Sequence, residues 1–190
     1  MKWLILLACC ALAPALTYAQ SALHFRSTAH AGLADGEAGG AFLLQTIDGV
    51  SKGPWFLGGG AGLDYYRFRS APLFLAASRD IRLNDKNALV LFLNGGTNLP
   101  VGLGGSPPFS NARLTFHGGE YFSGGVSWLL GMHGHRGSGI LFSAGYEIKK
   151  LRESVNSTVV PCANGANCTP FVAYYEYLNR ALFFMVGYRF

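Results

Sequence analysis

The residues in this sequence best equipped for chemistry are a scattered set of hydroxyls, imidazoles and carboxylates. Ser123, Ser127 and Ser143 with His24, His30 and Glu147 are the parts of an acyl-transfer site, in which a base activates a serine and an acid orients the base. No local pattern assembles them: the chain has no His-x-Ser pair, and Ser27 and His30 fall on opposite faces of a strand. His133 and His135, with His117 nearby, are the residue type of a metal site, but no cysteine or carboxylate stands at ligand spacing and a solvated turn accounts for them better. Neither a metal nor a cofactor is expected. Cys162 and Cys168, separated by Ala-Asn-Gly-Ala-Asn, read as a disulfide pinching a loop in an oxidising compartment, since a metal would want a second ligand pair.

Whether such groups meet depends on the elements that carry them, and the last nine residues declare what those are. Leu182, Phe184, Val186, Tyr188 and Phe190 recur at period two, so a strand puts all five on one face and Phe183, Met185, Gly187 and Arg189 on the other. An aliphatic and aromatic face at a chain end, where soluble strands fray, suits a strand bathed in lipid. At the opposite end Lys2 precedes an apolar run from Trp3 to Leu16, followed by Thr17-Tyr18-Ala19, which reads as a signal peptide over 1–19 cleaved before Gln20. Residues 20–190 then form a single domain. The net charge of +5, falling to +4 once Lys2 leaves, is scattered rather than clustered and argues against nucleic acid as a partner.

Half the residues are apolar and 13% are charged, yet beyond the signal no apolar run approaches the roughly 18–20 residues of a spanning helix. In lipid every backbone polar group must be paired within the protein, which leaves a closed barrel as the membrane solution. The 26 glycines suit tight turns and close strands and disfavour helices.

The alternation marks eight strands: 21–33, 41–50, 55–66, 72–82, 88–94, 118–130, 139–150 and the ending. In the first, Leu23, Phe25, Ser27, Ala29 and Ala31 oppose His24, Arg26, Thr28 and His30. The second, fourth and fifth give no clear outward face, Gln45 sharing a side with Leu43 and Ile47. Long irregular segments are expected over 95–115 and 151–173, both at odd-numbered connections, whereas the second, fourth and sixth connections are short. That sorting is what a barrel with short periplasmic turns and longer external loops requires. The fold expected is all-β, a closed antiparallel up-and-down eight-stranded transmembrane β-barrel. Its interior is just wide enough for side chains, so His24, Arg26, Asp64, Glu147 and Lys149 are expected to fill the lumen as a polar network.

The ending, with Phe184, Val186, Tyr188 and Phe190 at alternate positions, resembles the C-terminal insertion signal of bacterial outer-membrane barrels. With Gly60-Ala61-Gly62-Leu63-Asp64-Tyr65-Tyr66, Ala71-Pro72-Leu73-Phe74-Leu75 and Asn179-Arg180 ahead of the last strand, the chain resembles the small outer-membrane β-barrel family common in Bacteroidetes, of the OmpA-like, porin-like eight-stranded type. The resemblance implies a monomer in the outer membrane, delivered by the barrel-insertion machinery and in contact with lipids and lipopolysaccharide. It implies no catalytic residue. Lys149, Lys150 and Arg152, where the seventh strand should emerge outside, are candidates to pair lipopolysaccharide phosphates. The expected role is structural or surface interaction through the two long loops. The alternatives are a lipid A-modifying acyl hydrolase or transferase, as some small outer-membrane barrels are, and a small pore.

Overall fold

The computed structural model describes residues 23–37, 39–67, 69–102, 104–105, 112–131, 138–157 and 171–190. The signal segment 1–19, His133, His135, Cys162 and Cys168 lie outside them.

Alternating apolar positions rich in β-branched and aromatic residues, with glycines that no helix would tolerate in such number, fold as strands. These are β1 (His24–Gly36), β2 (Gly39–Lys52), β3 (Trp55–Asp64), β4 (Ser70–Arg82), β5 (Asn87–Pro100), the two-residue β6 (Gly104–Gly105), β7 (Ala112–Gly131), β8 (Gly139–Ser157) and β9 (Phe171–Arg189). All pairings are antiparallel: β1 to β5 pair in chain order, as do β7 to β9, β5 pairs directly with β7, and β6 is a stub on β7. Thr28–Gly36 of β1 pairs with Ala181–Arg189 of β9, which closes β1 to β5 and β7 to β9 into an eight-stranded barrel. The Phe190 N–H donates to the Ser27 carbonyl at 2.9 Å, so the seam runs to the last residue.

At one rim lie the start of β1, the end of β9 and the facing ends of β2 and β3, β4 and β5, and β7 and β8; at the other lie those of β1 and β2, β3 and β4, β5 and β7, and β8 and β9. The strands run further than the sequence suggested. β5 continues to Pro100, β7 begins at Ala112, β8 reaches Ser157 and β9 begins at Phe171, so much of the expected loop over 95–115 and 151–173 is sheet. Gly95 and Gly96 looked like loop residues, but a Cβ on Gly96 would run into the Leu73 carbonyl oxygen and the Phe74 Cα, so glycine there admits a neighbouring strand. In β9, Val172, Tyr174, Tyr175 and Tyr177 supply the β propensity that carries the sheet on. As a result β7, β8 and β9, of 20, 19 and 19 residues, stand above the rim as a three-stranded extension, while β1 to β5 have 10 to 14.

Every barrel strand sends a large apolar side chain outward, as with Phe25, Leu44, Leu57, Leu75, Leu93, Phe122, Phe142 and Phe184. The ambiguous strands resolve the same way: Phe42, Leu44 and Val50 point out from β2, Leu73, Leu75 and Ile81 from β4, and Leu91, Leu93 and Leu99 from β5. The interior is mixed. Ala88, Val90, Leu129 and Leu141 pack near the chain-end rim, Ala34, Leu43, Tyr66, Ala181, Phe183 and Met185 towards the other, and Phe56, Phe74, Ala76 and Tyr121 form a third cluster.

Candidate functional site

The interior polar groups are held by three ties between strands that face each other across the ring. Near the chain-end rim, Arg189 of β9 donates to Asp80 of β4 at 2.8 Å, and Arg26 of β1 reaches the same carboxylate at 3.1 Å. Arg26 also donates to the Ser78 hydroxyl at 2.9 Å and lies over the Phe56 ring, 4.1 Å from its centroid. At mid-height Gln45 of β2 donates to the Tyr121 hydroxyl of β7 at 3.0 Å; that hydroxyl and the Asn94 amide both donate to the Ser123 Oγ, at 3.1 and 3.0 Å. Towards the loop rim Lys149 of β8 forms an ion pair with Asp64 of β3, and its Nζ is 2.8 Å from Glu147 Oε1. The Tyr66 backbone N–H donates to the other Asp64 oxygen at 2.7 Å, and the Tyr66 ring faces the ammonium at 5.1 Å. Strands β4 and β9, β2 and β7, and β3 and β8 are each half the ring apart. Opposed side chains of this length meet because an eight-stranded lumen is about two side chains wide.

The expected network therefore divides in two. Asp64, Glu147 and Lys149 form the loop-rim set with one carboxylate in excess, and Arg26 belongs with Asp80 and Arg189 in a chain-end set with one guanidinium in excess. His24 joins neither: it is exposed at the rim, where its carbonyl accepts from the Ser51 hydroxyl at 3.1 Å. Asp80 lies in the strand whose faces were unreadable, which hid it. Arg189 already had the inward parity of the last strand, and that signal was sufficient to find it.

Contrary to the expectation from sequence, Lys149 cannot also meet lipopolysaccharide. It is 1% exposed and committed to two carboxylates, because its parity on β8 is that of Leu141, Ser143 and Glu147. Lys150 and Arg152 do face outward at the top of the apolar face. Lys150 pairs with Glu120 at 2.7 Å and Arg152 with Glu176 at 4.0 Å, beside a groove of about 240 Å³ floored by Gly96, Gly118 and Gly119. The hydrogen bond from Lys150, aided by its charge, holds the Glu120 carboxyl below its ordinary value. This exposed pair is weakened as pH falls through that depressed value, with little effect on stability.

The acyl-transfer parts do not assemble among the described residues. Ser127 and Ser143 bond each other at 2.7 Å, Ser123 is held by Tyr121 and Asn94, and Glu147 is held by Lys149. All three hydroxyls point into the lumen, away from the apolar outer face. Both nitrogens of His30 are buried and bond no group among the described residues. Its ring lies over Gly187, where an added Cβ would strike the imidazole and come within 2.7 Å of the Ala29 carbonyl oxygen. Gly187→Ala is accordingly expected to destabilise the barrel by about 1–3 kcal/mol through overpacking, read by chemical unfolding, whereas Gly39→Ala adds a methyl to open space and costs only the strain of its positive φ.

The Phe184, Val186, Tyr188 and Phe190 side chains lie on one outward face, with the Tyr188 and Phe190 rings edge to face at 4.8 Å. Compared with known proteins, the chain matches no protein-family model and no curated sequence.

Proposed function

We propose that this protein is a bacterial outer-membrane β-barrel of the small eight-stranded type, with a closed lumen and a structural or surface-interaction role. The observation that carries the reading is a pair of aromatic markers at the two ends of β3, Trp55 as its first residue and Tyr65 just past its last. Trp55 and Tyr65 both face outward, each with an arginine over its ring, Arg79 at 5.0 Å and Arg69 at 5.6 Å. They bracket Leu57 and Leu63 on the same face and stand ten residues apart. At about 3.3 Å per residue and a tilt near 40° that separation is about 25 Å of height, the thickness of the apolar band of outer-membrane barrels, which aromatic girdles flank. A water-exposed wall has no reason to present an apolar side chain from all eight strands.

In this reading the chain-end rim is periplasmic, Phe190 belongs to the insertion signal, and the β7–β9 extension is extracellular. Lys150 and Arg152, already bridged to glutamates, offer lipopolysaccharide phosphates a modest contact at the belt's upper edge. The three cross-lumen ties support a barrel that does not conduct, and the separation of Ser, His and acid favours the structural role over a lipid A acyl hydrolase. The test is refolding of the urea-unfolded chain. Native sheet, scored as a heat-dependent shift in gel mobility, is expected with lipid vesicles or detergent, planar-bilayer conductance staying at leak level. Full refolding in buffer alone would overturn the membrane reading, and steady large conductance would overturn the closed lumen.

A further inference from the structure

Between the chain-end charge set and the mid-height tie the described residues do not fill the lumen. A cavity of about 40 Å³ is lined by Arg26, His30, Asn94, Ser127, Met185 and Arg189 among others, with room for about two or three water-sized bodies. The Nε atoms of Arg26 and Arg189, both nitrogens of His30 and the Asn94 Oδ1 are buried without a hydrogen-bond partner among the described residues. Arg189 is 3% exposed and Asn94 2%. Orphaned polar groups of this kind are costly unless something in the cavity satisfies them.

The character of the missing partner follows from the inventory. Arg Nε can only donate, and a neutral imidazole presents one donor and one acceptor, so N–H donors outnumber acceptors. The local charge has the same sign: two guanidiniums share one carboxylate, that of Asp80, while Asp64 and Glu147 sit beyond the Gln45–Tyr121 tie with their own lysine. The Asp80 carboxylate is already engaged, its Oδ2 accepting from both arginines and its Oδ1 from Arg189 at 3.4 Å. A second acceptor of negative charge would complete the set. We propose that this cavity binds a small monovalent anion of the halide class, held by the Arg26 and Arg189 Nε–H groups and a His30 N–H, with water bridging to the Asn94 Oδ1. Its role is that of a buried counter-ion fixing the chain-end half of the lumen.

The test uses the full folded barrel in detergent. Its thermal midpoint is measured in sodium chloride or bromide against sodium gluconate at equal ionic strength, gluconate being too large for the cavity. The midpoint is expected to rise by at least about 3 °C with either halide and to saturate, as binding to the folded state alone requires. Crystals grown in bromide are expected to show anomalous density among Arg26, His30 and Arg189. His30→Leu keeps the Arg–Asp–Arg set but removes a donor, and is expected to lessen the halide response at least tenfold in the concentration needed. Equal midpoints in halide and gluconate, or a cavity without bromide density in the unmodified protein, would show that water alone fills it and would overturn the proposal. The bromide measurement decides even if the variant fails to fold.

Discussion

Lys149→Ala is expected to lower the unfolding free energy of the barrel by about 3–5 kcal/mol, because it strands two carboxylates where water cannot reach them. Lys149 is the single cation of its set. It joins Asp64 across the lumen and Glu147 two residues away on its own strand, all three being essentially unexposed. Removing it costs the ion pair and leaves like charges side by side. Removing the set as a whole is a different matter. A triple change of Asp64→Asn, Glu147→Gln and Lys149→Met eliminates the charge with little change of volume, and should recover most of the loss, since neutral replacement of a buried ionic group is often harmless. Urea unfolding in vesicles of the single and triple variants separates the two effects. A single variant within about 1 kcal/mol of the parent would mean that the cluster is solvated and that the lumen is open at this end.

If the outer wall meets lipid as proposed, Phe184→Arg is expected to cost about 2–4 kcal/mol in a bilayer, the penalty of a guanidinium near mid-depth. Phe184 is 67% exposed and lies within the outward face between Phe190 at one rim and Arg180 towards the other. Tyr174, still more exposed, sits on the part of β9 above the seam, so Tyr174→Arg should cost almost nothing. The contrast is what carries information. In water both residues are surface positions of one strand and both substitutions would be near neutral. Only a solvent that changes from lipid to water along β9 makes them differ. Folding titrations in vesicles of both variants measure this directly, and equal costs would remove the basis for the membrane assignment.

The alternation of side chains was enough to read the closed eight-stranded barrel and the faces of β1, β3, β7, β8 and β9. The code fails where the lumen is itself apolar. β5 sends Ala88, Val90 and Phe92 inward and Leu91 and Leu93 outward, so hydropathy cannot tell its sides apart, although register does. β2 mixes Leu43, Gln45 and Ile47 on the inner face for the same reason. With β4 undetermined, Asp80 could not be placed, and without Asp80 the roles of Arg26 and Arg189 stayed hidden. Lys149 illustrates the converse: its parity fixed it inside, and its neighbourhood to Lys150 and Arg152 in sequence was no guide to space. The upper parts of β7 and β8 were concealed by Gly118, Gly119 and Asn156, types that mark loops in general but here admit close neighbours or pair within the sheet.

Because β1 and β9 meet side by side through ordinary ladder bonds, the cylinder has no structural beginning. Its opening in the covalent chain is an accident of genetic order, set at one of several equivalent gaps around the lower rim. Joining Phe190 to the start of β1 and cutting instead at 53–54 or 83–86 would leave every rung of the wall in place, so a circularly permuted chain would keep the barrel while moving the aromatic strand end proposed above as an insertion signal, and would separate building the barrel from delivering it.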